Sequence, residues 1–330
     1  MTSSYAVLFK THFWDEFSKR QFERLKSRCP SGDVYVVIDE SIQSAAPVDY
    51  NKTIHIKAED IADLRLAPVT THGSIIWYNI DYPHYIAFSK LPAYDFYVTV
   101  EYDAIVNVDV DVLVNNLARD KVDYLGFPIR KPVADWPWHE MHLDIYGPEM
   151  IVYLSCFAVF SHKAMTTLLE RRQAMSIAFL AGELGFWPNN EAFIPNEVRN
   201  AGLKLDTLDR HGLTDNYDWW PPSEETELRS RQEGAFVHPV LAGSRFARSV
   251  VHHEPSLLSF FLPNSKMHQR LRQVNSGNLR PLLTAEIARR LHRRYERTLE
   301  RFGLRPQWYA NAVSGKANFE QNNSTHNAAN

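Results

Sequence analysis

The sequence is poor in the features that mark a secreted or membrane-embedded protein. Cysteine occurs twice in 330 residues, at Cys29 and Cys156. Two thiols so far apart, in a chain with no export signal, read as free and reduced. No apolar run approaches the roughly 20 residues that span a bilayer. The N-terminus passes almost directly into an apolar run, Tyr5-Ala6-Val7-Leu8-Phe9, with no charged n-region and no long apolar h-region. The expected compartment is the cytoplasm, with peripheral attachment at the inner membrane face as a variant of it. No internal repeat is visible. Charge is nearly balanced at a net −3, so whole-chain charge argues neither for nor against a nucleic-acid partner.

Hydrophobic residues make up 45% of the chain and charged residues 23%, the composition of an ordinary globular protein. The length suits one large α/β domain or two small ones. Charge is unevenly spread. From Lys266 to Arg305, eleven Lys/Arg stand against three Asp/Glu, a local +8 that leaves −11 for the remainder. A basic C-terminal portion follows an acidic body.

One stretch organises the rest: Phe96-Tyr97-Val98-Thr99-Val100-Glu101-Tyr102-Asp103. An apolar, β-branched and aromatic run ends in two carboxylates one residue apart. In an extended chain, residues i and i+2 point to the same side, so Glu101 and Asp103 can converge at the end of a buried strand. Paired carboxylates there can hold a hard divalent cation, and a cation so held neutralises a diphosphate. The stretch points to a metal-dependent transferase working on a nucleotide-linked substrate, above all a sugar.

Strands and helices alternate around it. Residues 5–9 read as a first strand, with Lys10, Thr11 and His12 as a loop, and Trp14 to Arg28 as a helix ended by Cys29-Pro30-Ser31-Gly32-Asp33. Val34-Tyr35-Val36-Val37-Ile38 is an unbroken apolar strand that stops at Asp39-Glu40-Ser41. A strand near Ile54–Ile56, a helix from Glu59 to about Leu66 and a helix from Trp77 to about Lys90 follow. Asp109 to Leu117 fits helix or strand. Tyr124 to Pro128 and Met150 to Phe160 read as strands, His162 to Met175 as a helix, and a further helix runs from Glu191 to a stop at Ala201-Gly202. Leu203-Lys204-Leu205 is expected as the last strand. This βαβ alternation predicts a mostly parallel sheet flanked by helices, with ligands outside the carboxyl ends of its strands. Thr11, Asp39, Glu101 and Asp103 all fall there.

This order of elements resembles the GT-A fold glycosyltransferases, especially the inverting ones, over roughly residues 5–240. Val36-Val37-Ile38-Asp39-Glu40-Ser41 is similar to the family's second strand, whose terminal Asp reads the nucleobase. Glu101-Tyr102-Asp103 sits where the family has D-x-D, with Glu in place of the first Asp. The resemblance implies that Asp103 touches the metal directly, that Glu101 acts there or through ribose or water, and that Tyr102 belongs to the same donor site. Asn190-Glu191 precedes Ala201-Gly202-Leu203-Lys204-Leu205 at the family's spacing, which makes Glu191 the catalytic base. In a retaining enzyme Glu191 would only bind substrate. His238, in Val237-His238-Pro239-Val240, is similar to the family's late metal-binding histidine, with His252 and His253 as competitors. Thr11 and Asn79 are further donor-site candidates.

The resemblance implies a GT-A-like catalytic domain over residues 1–250; the residue pattern adds a helical extension over 251–310, and the Asn- and Ser-rich end reads as a disordered tail over 311–330. It implies Mn2+ or Mg2+ as cofactor, a nucleoside-diphosphate sugar such as a UDP-sugar as donor, and a glycan or lipid-linked acceptor in cell-surface polysaccharide biosynthesis. Two aromatic loops, around Trp136 and Trp138 and around Trp219 and Trp220, either stack on sugar rings or are simply packed. In the C-terminal helix, Ile287, Leu291, Tyr295, Leu299 and Phe302 form an apolar stripe opposite Arg289, Arg293, Arg294, Arg297 and Arg301. It either meets anionic lipid headgroups or packs on the core. No nucleic-acid module is recognisable. Two other readings stand beside the transferase. A sugar-phosphate nucleotidyltransferase would carry a glycine-rich loop where this chain has Lys10-Thr11-His12. A catalytically inactive module of the same fold would bind glycans or act as a scaffold.

Overall fold

The computed structural model describes residues 3–69, 78–230, 233–272, 274 and 276–303. Trp77, where one helix is expected to start, and the expected disordered tail lie outside the described residues. The chain divides into two compact units, Met1–Ala242 and Gly243–Asn330.

The first unit carries the strands β1 (Tyr5–Thr11), β2 (Asp33–Asp39), β3 (Thr53–Ile56), β4 (Phe96–Glu101), β5 (Ile105–Val106), β6 (Tyr124–Pro128), β7 (Tyr153–Ser161), β8 (Leu205–Thr207), β9 (Leu213–Tyr217), β10 (Ser223–Glu224), β11 (Ala235–His238) and β12 (Val240–Leu241). Its helices are α1 (Glu16–Lys26), α2 (Ala58–Asp63), α3 (Tyr82–Lys90), α4 (Val110–Arg119), α5 (His139–Tyr146), α6 (His162–Leu180) and α7 (Asn190–Asn200). The central sheet has seven strands in the order β3-β2-β1-β4-β7-β6-β8. Only the pairings of β7, with β4 and with β6, are antiparallel. The expected mostly parallel α/β sheet is therefore present, with the acid-tipped strand β4 at its centre.

Alternation along each strand feeds two cores, as a sheet covered on both faces requires. Tyr5, Val7 and Phe9 pack on one face with Phe22 and Leu25 of α1 and Leu113 and Leu117 of α4. Ala6 and Leu8 pack on the other with Ile61 of α2, Ile86 of α3, Leu168 of α6 and Ile194 of α7.

Three local expectations are corrected and one open alternative is decided. β1 runs on to Thr11 because Lys10 and Thr11 pair with Val37 and Ile38 of β2, so Lys10 is strand rather than loop. The ambiguous segment after Asp103 is the helix α4. Asp109 caps it by accepting the Val112 N–H at 3.0 Å, and Val110, Leu113, Val114 and Leu117 make its buried stripe. The strand expected at Leu203-Lys204-Leu205 begins two residues later, because the Lys204 N–H goes to the Asp123 side chain at 3.0 Å and pairing with β6 starts at Leu205. That strand is also not the last. β5, β11 and β9 form a second, three-stranded sheet and β10 pairs with β12. These strands are short, and a segment such as Leu213-Thr214-Asp215-Asn216-Tyr217 has too little apolar pattern to be read as one.

In the second unit, α8 (Gly243–His253), α9 (Lys266–Leu271) and α10 (Ser276–Arg301) are the main elements. Glu286 of α10 is buried and receives Arg290 at 2.7 Å as well as Arg289. No described helix is long and apolar enough to cross a membrane.

Candidate functional site

The site is built where β4 ends. Parallel pairing sets Lys10 of β1 beside Glu101 of β4, and their charged atoms, Lys10 Nζ and Glu101 Oε1, are 3.6 Å apart. On the other side of β4, the antiparallel register sets Val100 against Phe157, so the next residue of β7, Cys156, arrives alongside Glu101. The sheet thus lines up a cation, a carboxylate and a thiol across three adjacent strands.

The second sheet supplies the histidine. Asp103 lies just before β5, and β11 pairs antiparallel with β5 through Val237 and Ile105. This carries His238, at the end of β11, to Asp103, and the Val240 N–H clamps the Asp103 carbonyl at 2.8 Å. His238 Nδ1 donates to the Asp218 carbonyl at 2.8 Å, which turns Nε2 towards Asp103 Oδ1 at 3.6 Å. A sequence separation of more than a hundred residues is closed by strand pairing alone.

The donor set fits a divalent cation. One ligand atom each from Glu101, Cys156 and His238 lie within 4.8 Å of one another. Glu101 Oε1 and Asp103 Oδ1 are buried with no hydrogen-bond partner, each facing a side-chain nitrogen, Lys10 Nζ and His238 Nε2, only at 3.6 Å, and a divalent cation would complete their bonding. Burial raises the Asp103 carboxyl above the ordinary range; His238 opposes the rise and Glu101 adds to it. Burial also raises the Cys156 thiol, helped by the nearby Glu101, Asp103 and Glu191 carboxylates. A bound cation would reverse both tendencies.

Glu191 belongs to the same neighbourhood. Its helix α7 is capped by Asn189, whose side chain accepts the Glu191 N–H at 3.1 Å, and Gly202 stops it in the left-handed region at φ 68°. The Trp136 indole N–H donates to Glu191 Oε2 at 2.9 Å. Burial pushes this carboxyl up to about 7; the Trp136 bond pulls it down and the Glu101 charge pushes it up. A carboxylate so poised exchanges protons near neutral pH.

The first aromatic loop is therefore support rather than an open sugar platform. Trp136 is buried and meets Trp138 edge-on, with centroids 5.6 Å apart. The region expected as loop also contains α5, whose buried His142 bridges it to the base. His142 Nδ1 donates to the Trp138 carbonyl at 2.7 Å and its Nε2 accepts the Asn189 N–H at 3.1 Å. In the second loop, Trp219 is 51% exposed and lies under Lys131 Nζ at 5.6 Å, while Asp218 serves to orient His238.

The remaining candidates divide. Thr11 closes a turn, its hydroxyl donating to the Phe13 carbonyl at 2.7 Å, and Asp39 accepts the Ser41 N–H at 2.9 Å; β1–β2 pairing puts both at the carboxyl ends of adjacent strands. Tyr102 meets His12 and Phe13 edge-on at 5.4 and 4.8 Å. Asn79 is taken up elsewhere. It is buried, donates to the Val69 carbonyl at 2.8 Å and accepts the Trp187 indole N–H at 2.6 Å. His252 and His253 lie in the second unit, where His252 faces Glu286 at 4.0 Å. Sequence reasoning missed Lys10 and Cys156 as parts of the cluster. The sign available for Lys10 was an apolar run ending in a lysine.

No protein-family model matches the chain, and no curated protein matches it. Among solved structures the chain is similar to the apo form of mouse xyloside xylosyltransferase 1, at 10% identity over 71% of this chain and 97% of that one, with a TM-score of 0.43. It is similar to the galactosyltransferase LgtC in complex with donor and acceptor sugar analogues, at 11% identity over 69% of this chain and 79% of that one, with a TM-score of 0.40. It is also similar to a glycosyltransferase involved in the glycosylation of the major capsid of PBCV-1, at 12% identity over 71% of this chain and 92% of that one, with a TM-score of 0.36. Likenesses this distant decide nothing about chemistry, which rests on the side chains gathered at the end of β4.

Proposed function

We propose that the chain is a divalent-cation-dependent glycosyltransferase of the GT-A type. It moves a sugar from a nucleoside-diphosphate donor, a UDP-sugar, to a hydroxyl of a glycan or lipid-linked acceptor in cell-surface polysaccharide biosynthesis. Residues 1–250 are the catalytic part and the helical remainder is an appendage. The observation that carries this reading is the pair of buried carboxylate oxygens of Glu101 and Asp103, neither with a hydrogen-bond partner, the second facing His238 Nε2 at 3.6 Å. The carboxylate and imidazole donors suit Mn2+ or Mg2+. Such an ion, when bound, supplies positive charge to the diphosphate that leaves.

The chain's own residues do the rest. Glu191 takes the proton of the acceptor hydroxyl as that oxygen bonds to the anomeric carbon. The bond from that carbon to the phosphate oxygen breaks, and the nucleoside diphosphate departs with the electron pair. Attack from the face opposite the leaving group inverts the centre. Lys10 holds positive charge beside Glu101. Asp39 and Thr11, at the carboxyl ends of adjacent strands, meet the nucleoside, and Tyr102 walls it.

Chelator-treated protein is screened for nucleotide-sugar hydrolysis with and without Mn2+, and for thermal stabilisation by UDP plus Mn2+. The expected result is metal-dependent hydrolysis and a midpoint that rises with the two together. Asp103→Ala is expected to abolish both. Activity undiminished in Asp103→Ala would sink the reading.

A further inference from the structure

Cys156 is in an unusual place for a structural thiol. It is 9% exposed and forms no disulfide. A buried thiol ordinarily packs on carbon. This one lies with the Glu101 carboxylate and the His238 imidazole, one ligand atom of each within 4.8 Å of the others. Glu101 Oε1 and, beside His238, Asp103 Oδ1 have no hydrogen-bond partner, each facing a side-chain nitrogen only at 3.6 Å. Around a tetrahedral zinc ion, with sulfur at about 2.3 Å and nitrogen or oxygen at about 2.0–2.2 Å, neighbouring donors stand roughly 3.3–3.8 Å apart. The Asp103–His238 separation of 3.6 Å already lies in that range.

We propose that Cys156, with Glu101, Asp103 and His238, forms a sulfur-containing site for a thiophilic divalent ion such as Zn2+ or Cd2+. The inference rests on the placement of a cation between Asp103 and His238 argued above, and it adds a donor that changes which ion is preferred. Carboxylate oxygens suit Mn2+ or Mg2+, an imidazole already leans towards zinc, and a thiolate selects zinc and its heavier relatives. On binding, the sulfur–metal bond forms and the thiol proton passes to solvent. Four protein donors in a tetrahedron leave no position for diphosphate oxygens. Zn2+ held this way competes with Mn2+ and inhibits transfer rather than supporting it.

The test is a titration of the chelator-treated full chain with Cd2+, followed by the ultraviolet thiolate-to-metal charge-transfer band, with Mn2+-induced thermal stabilisation measured in parallel. Cys29→Ala leaves Cys156 as the sole thiol, so no change at position 156 is needed for the main measurement. The expected result is a band that saturates at one equivalent in both wild type and Cys29→Ala and is lost in Cys156→Ala. No band in Cys29→Ala, with Mn2+ stabilisation intact, overturns the sulfur ligand and leaves the proposed function standing. A band that persists in Cys156→Ala also overturns it. Absence of both responses overturns the sulfur ligand and the metal reading together.

Discussion

Glu191 concentrates the chemistry at the scale of single residues. Its carboxyl is held up to about 7, chiefly by burial. A base must be ionised to accept a proton, so kcat/KM is expected to rise as pH increases through about 7 and then level off, read from an initial-rate pH profile. Glu191→Gln is expected to lower kcat by roughly 100- to 10,000-fold, the usual worth of a positioned base, and to remove that pH dependence. The stability effect has the opposite sign. A raised carboxyl costs the fold stability above its unfolded pKa, and the cost is complete above about 7. Glu191→Gln is therefore expected to be more stable than wild type at pH 8, on the order of 1–3 kcal/mol, and equal to it near pH 4, measured by urea unfolding.

The base is only as well placed as the elements behind it. His142 of α5 ties the Trp138 carbonyl to the cap of α7 through the Asn189 N–H, and burial depresses its pKa to about 4. Only the neutral ring can accept that N–H. A depressed histidine contributes stability that is present above its unfolded pKa of about 6.5 and is lost as pH falls toward about 4. Unfolding midpoints are expected to drop across that window in wild type and less so in His142→Gln. Deeper still, Arg172 of α6 and Asp81 form an ion pair at 2.6 Å with both side chains fully buried. The same guanidinium donates to the Pro188 carbonyl at 2.9 Å, just ahead of the α7 cap, and lies 3.6 Å from the Phe193 ring centroid. Removing one partner strands a charge in the interior. Arg172→Ala is expected to cost about 3–5 kcal/mol in equilibrium unfolding, and a value under about 1 kcal/mol would contradict this account.

At the scale of the whole chain, the second unit exposes what the first buries. Leu291, Tyr295 and Phe302 of the C-terminal stripe are 50%, 53% and 70% exposed, and Leu258, Phe261 and Leu262 are also open. Arginines rich in positive charge surround them along α10. An apolar stripe beside a basic face is the pattern that the lipid-contact reading of this helix requires, and that reading has a measurable consequence. Full-length protein is expected to sediment with vesicles containing an anionic lipid, less so as salt is raised, and a chain ending at Ala242 is expected to stay in the supernatant.

Local pattern made much of this legible. Unbroken apolar runs such as Val34–Ile38 predicted buried strands, and their alternation with helices predicted a mostly parallel sheet, because strand period and helix period are properties of the nearest few residues. Glu101 and Asp103 stood out for the same reason, being two acids at the end of such a run. What the sequence could not decide was which distant side chains would join them. Lys10 and Cys156 reach Glu101 through the registers of β1 and β7 on β4, and His238 reaches Asp103 through the pairing of β11 with β5. Asn79 read as a ligand contact and turned out to bond Trp187 in the interior. Register is set by how whole strands bury their faces together, so the residue types were written in the sequence, but their convergence on one point came only with the packed sheet.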